Sequence, residues 1–176
     1  MGNHGSSFEV LVIGHVSGLF DIALSLKMKD SALQQKASAA LDQNVKDWIS
    51  GINRALPGIG SLIGGSIRAS VQHEISIAFA ILQCNCKDAT NCRCENAQLM
   101  QNSLSAMQTT QEDIVKGLTK FVGKESQWRT LLTKQLLGII NYLNALAKNS
   151  ADANEVQLQC YQQGKELSDA LATAIG

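Results

Sequence analysis

Residues 8–20, FEVLVIGHVSGLF, decide the fold, because they read at first as a buried strand running into a phosphate-binding turn. That reading needs a G-x-G-x-x-G turn and later strands to build a parallel sheet. The glycines present are Gly14 and Gly18, four residues apart, and no later stretch sustains strict apolar–polar alternation. Read as a helix over about 7–27, the same residues place Phe8, Leu11, His15, Leu19, Ile22, Ala23 and Leu26 on one side. Gly14 and Gly18 then make a smooth face that another backbone can approach closely. The Ser6-Ser7-Phe8-Glu9 capping box marks the expected start.

Downstream the helical period recurs. A second helix is expected from the Ser31–Gln34 capping box to Pro57, with Leu33, Ala37, Leu41, Val45, Trp48, Ile49 and Ile52 inward. Pro57-Gly58 marks a turn running to about residue 60. A third helix from about Ser61 carries the stripe Ile63, Ile67, Val71, Ile75, Phe79 and Leu82. The fourth offers Ala97, Met100, Leu104, Met107, Ile114, Leu118 and Phe121, with a break expected at the Thr109–Glu112 capping box. A fifth runs from about Lys124 and a sixth starts at Asp152 or Asn154. The chain is therefore expected to be all-α, an elongated up-and-down bundle of five or six amphipathic helices in one domain over 1–176. Its core is expected to include Leu19, Trp48, Ile67, Phe79, Leu104, Leu118, Leu132, Ile139 and Leu171.

Composition narrows the function. Fifteen Lys+Arg balance fifteen Asp+Glu, and only 17% of residues are charged, so no surplus of positive charge exists to collect phosphates, and nucleic acid is excluded as a partner. Aromatic residues make up 5%, too few for a base-stacking platform. The N-terminus, MGNHGSSFEV, lacks a basic region ahead of its apolar run and a small-residue cleavage site, so no intact secretory signal is expected. The same residues fit an N-myristoylation pattern, with Gly2 as acceptor and Ser6 four residues on, in competition with the capping-box reading. No segment is expected to cross a bilayer as an ordinary helix, and the chain reads as soluble.

Catalytic machinery is not found. His4, His15 and His73 have no nucleophile or carboxylate at a dyad spacing, and there is no Glu-x-x-His pair for a di-iron bundle. The expectation is a non-enzyme with no small-molecule substrate.

Two local features stand out. CNCKDATNCRC sets Cys84, Cys86, Cys92 and Cys94 symmetrically about a five-residue tip between the third and fourth helices. In an oxidising compartment they would pair as nested disulfides; in a reducing one, four thiolates could hold zinc, although C-x-C spacing crowds the chelate. The first choice implies secretion, the second a cytoplasmic or peripheral membrane protein. Cys160 lies apart on an inward stripe, the place of a small buried hydrophobe.

The second feature is the 13-residue uncharged segment 55–67, where Gly58, Gly60, Gly64 and Gly65 alternate with Leu56, Ile59, Leu62, Ile63 and Ile67. Glycine costs about 1 kcal/mol in a helix interior relative to Ala, so a plain core helix has no use for this many. One account is a tight turn followed by close helix contact. The other is an apolar segment sheltered in a soluble fold and released into a bilayer, where glycines let copies pack together. Two functions are therefore expected: a membrane-perturbing or pore-forming protein acting through 55–67, with lipid or its own copies as partner, or a soluble helical scaffold that oligomerises through its helix faces.

Overall fold

The computed structural model describes residues 4–84 and 97–175, which form six helices and no strand. They are α1 (His4–Met28), α2 (Ser31–Ala55), α3 (Ile59–Cys84), α4 (Ala97–Val122), α5 (Glu125–Ala147) and α6 (Ala153–Ile175). Each holds 23 to 26 residues, or roughly 35–39 Å at 1.5 Å per residue. Matching lengths, with short turns joining α1 to α2, α2 to α3, α4 to α5 and α5 to α6, give the up-and-down bundle the periodicity implied.

The register is fixed by a few close approaches. A Cβ at Gly18 would lie 3.0 Å from Leu41 Cδ1, and one at Gly14 2.7 Å from Asn44 Nδ2, so the smooth face of α1 receives α2. Asn44 donates from Nδ2 to the Leu11 carbonyl at 3.0 Å, while its Oδ1 is buried in this seam without a partner. α2 meets α3 where Gly64 faces Ile49, and α3 meets α4 where Gly117 faces Ile63. α6 returns along α1, with Gly164 against Val12 and Val16. Phe20 of α1 lies 4.1 Å from the Tyr142 ring and 5.2 Å from Tyr161, tying α1 to α5 and α6. α1 thus packs against four of the other five helices.

Several boundaries differ from the sequence expectation. α1 begins at His4, which puts Ser6 inside the first turn instead of at a cap. The cap of α2 is Asp30, whose carboxylate accepts from Leu33 N at 2.9 Å, one residue before the expected Ser31. α4 runs unbroken through Thr109–Glu112 because Ile114, Val115 and Leu118 continue its buried face. α3 starts at Ile59, not Ser61, because the reversal after Leu56 is completed by Gly58 alone, at φ +94°. Asn53 Oδ1 fixes that turn by accepting from both Gly58 N and Gly60 N at 3.1 Å.

Leu19, Ile67, Leu118, Ile139 and Leu171 are buried as expected, whereas Trp48, Leu104 and Leu132 are half-buried against the core edge. Phe79 is a clear correction, being 40% exposed. The stripe Ile63, Ile67, Val71, Ile75, Phe79 advances four residues at a time, and each step overshoots a 3.6-residue turn by about 40°. By Phe79 it has rotated nearly half way round. The buried face instead shifts to Glu74, Ile77, Ala78 and Ile81.

Candidate functional site: apolar elements around a buried polar centre

The segment 55–67 straddles the turn between α2 and α3. Ile59, Ile63, Gly64 and Ile67 face inward, Leu56 is half-buried, and Leu62 and Gly65 face outward. Two of its four glycines have a packing reason, since a Cβ at Gly60 would lie 2.9 Å from Asn53 Cβ and one at Gly64 3.2 Å from Ile49 Cγ2, and Gly58 takes the positive φ of the turn. Gly65 is the exception, with open space around it.

α1 corrects the expectation that no helix is long enough to cross a bilayer. Its 21 residues Phe8–Met28 are long and apolar enough, and just over half of the stretch is buried. That stretch is roughly 32 Å long, close to the hydrocarbon thickness of about 30 Å. The composition of residues 8–28 carries that property in the sequence itself. A core helix of a soluble bundle carries the same composition, so length alone does not assign a role.

Beside α1 is a polar centre that periodicity did not locate. His15 and Glu74 are each 7% exposed, and His15 Nε2 lies 3.1 Å from Glu74 Oε2. The Trp48 ring stacks on His15 at 5.9 Å with 17° between planes. These three line a cavity of about 60 Å³ whose other walls include Ser70, Gln111 and Gln135. This is room for a water or two, well short of the several hundred Å³ of a small-molecule site. His15 Nδ1 and Gln135 Oε1 find no hydrogen-bond partner in the protein, so such water has polar groups to meet.

Cys160 of α6 meets the Gln135 side of this centre. Its Sγ accepts from Gln135 Nε2 at 3.6 Å, and the thiol is free and fully buried. Burial first, and the nearby Glu74 carboxylate second, push its pKa up to about 12, although the Gln135 amide lowers it. That is the reverse of an activated nucleophile. Among the described residues no three His, Cys, Asp or Glu side chains are gathered to hold a metal.

Cys84 is the last residue of α3, while Cys86, Cys92 and Cys94 lie outside the described residues, as does Gly2; the disulfide, zinc and myristoylation readings rest on those positions. No family model, no curated protein and no solved structure matches this chain.

Proposed function

We propose that this chain is a non-enzymatic, membrane-active helical bundle of the pore-forming type, in which α1 is the element released to the bilayer. The observation that carries the reading is the bilayer-length apolar stretch Phe8–Met28, held against four neighbouring helices. Asp21 within it would cost about 2.5–3.5 kcal/mol at the bilayer centre if it faced lipid. Gly14, Ser17, Gly18 and Asp21 recur at three- and four-residue spacing and share one flank of α1. In an assembly of copies that flank can line a wet interior, where a charge is tolerated, and its small residues permit close helix approach. The 55–67 segment then serves as a secondary apolar element: its inward isoleucines hold α3 to α4, and its outward Leu62 meets solvent.

A second reading, a soluble scaffold that self-associates, draws on the packed glycines. Gly64 against Ile49 and Gly117 against Ile63 explain those residues without a membrane. The Cys84–Cys94 run would then be a staple or zinc site between α3 and α4. Release of a trapped dye from liposomes by the purified full chain separates the two. Leakage supports the membrane reading; absence of binding to neutral and anionic vesicles at acid and neutral pH leaves the scaffold.

A further inference from the structure

The chain carries no net charge, yet its basic residues are not evenly spread. The α2–α3 and α4–α5 turns sit side by side at one end of the bundle, since Gly58 approaches Phe121 and Ile63 meets Gly117. On and beside this end Arg54, Arg68, Lys116, Lys120 and Lys124 are all exposed, and none is within ion-pair distance of a carboxylate among the described residues. The nearby carboxylates Glu112 and Glu125 are both taken by Arg129, which leaves Asp113 opposing the basic group.

The same end exposes large apolar side chains. Leu62 is 47% and Phe121 37% exposed, an unfavourable arrangement in water for residues flanking a tight turn. Leu62 and Asp113 line a surface cleft of about 290 Å³ together with Ser66, Lys116, Gly117 and Lys120. Asn53 holds the α2–α3 turn rigid beneath it. Ammonium and guanidinium groups around two protruding apolar side chains match one chemistry, an anionic lipid surface: the cations meet headgroup phosphates and carboxylates while Leu62 and Phe121 enter the acyl boundary.

We infer that this end, built from Leu62, Phe121, Arg54, Lys116 and Lys120, is the face by which the bundle first docks on anionic lipid; the inference rests on the membrane-active reading and names its receptor surface. Docking here would set the helix axes across the bilayer plane and bring the N-terminal end of α1, antiparallel to α2, to the same side.

The test is co-sedimentation of the full chain with vesicles of phosphatidylcholine alone and of phosphatidylcholine with phosphatidylserine. The unmodified protein should bind the mixed vesicles more tightly. Lys116→Glu/Lys120→Glu should weaken that binding by about 30-fold or more, at about tenfold per 1.4 kcal/mol and about 1 kcal/mol per basic residue. Leu62→Ser should weaken it without removing the preference for anionic lipid. The matched reversal Lys36→Glu/Lys148→Glu, on exposed lysines elsewhere, should impair binding less than the Lys116/Lys120 reversal does, and thermal melts of every variant confirm folding. Equal losses in the two double variants, or a dimer in sedimentation equilibrium that Leu62→Ser dissolves, would overturn the docking face while leaving membrane activity standing. No binding of the unmodified protein to either vesicle would overturn the membrane reading itself, and this inference with it.

Discussion

His15 on α1 and Glu74 on α3 face each other at 3.1 Å inside the bundle, each less than a tenth exposed. On α6 the Cys160 thiol feels the Glu74 carboxylate; α2, α4 and α5 present Trp48, Gln111 and Gln135 to the cavity beside the pair. Removing one member leaves the other buried without its nearest polar neighbour. His15→Ala or Glu74→Ala is therefore expected to cost about 1–3 kcal/mol, the cost of a buried polar group that loses its neighbour, whereas the double change His15→Leu/Glu74→Met should cost less than the two single losses together. Denaturant titration of the three variants checks this. A loss in the double variant equal to the sum of the single losses would show that the pair is not coupled.

Phe79 and Ile77 test the rotated face of α3. Phe79→Ala is expected to cost about 1 kcal/mol, clearly less than a core truncation, since 40% of the residue is already exposed. Ile77→Ala, at a position 1% exposed, should cost about 2–5 kcal/mol. The reverse order in thermal or denaturant melts would restore the unrotated stripe.

The glycines of 55–67 and its neighbour α4 give an opposed pair. Gly65→Ala places a methyl in open space and should stabilise by about 0.5–1 kcal/mol through helix propensity. Gly117→Ala drives a methyl into Ile63 and should destabilise by roughly 1–3 kcal/mol. Equal responses would mean that α3 and α4 are not in close contact there.

Cys160 gives a pH dependence with a defined sign. Its pKa is raised from 9.0 to about 12, so the folded state holds the proton more tightly than the unfolded chain. The stabilisation is full below 9.0 and is lost as pH climbs towards 12. Stability should thus fall more steeply with alkaline pH in the unmodified protein than in Cys160→Ala, and the native thiol should resist alkylation until the chain unfolds. Rapid modification of Cys160 in the folded protein would contradict its burial.

Helix count and order were legible because apolar residues at three- and four-residue spacing recur along the chain, and because Pro57 and Gly58 stop and turn it. Gly14 and Gly18 were readable as a contact face for the same reason. Fine rotation was not: a run of four-residue steps on α3 looks continuous on paper and winds away from the core in space. The His15–Glu74 contact was hidden because its partners lie 59 positions apart on parallel helices, and no local pattern encodes which faces of α1 and α3 meet. The length and apolar composition of α1 were legible in residues 8–28, beside the denser glycines of 55–67.

The release of α1 is tested most directly by tying it down. A Cβ at Gly18 would lie 3.3 Å from Leu41 Cβ, close to the spacing of about 3.8 Å that a disulfide requires. Gly18→Cys/Leu41→Cys should oxidise to lock α1 to α2, and the unmodified chain carried through the same redox steps accounts for its own cysteines. The account predicts that the locked protein releases no dye from vesicles the unmodified protein permeabilises, and that reduction restores leakage. Equal leakage from the locked and reduced forms would show that α1 does not leave the bundle, and would contradict its role as the membrane-entering helix.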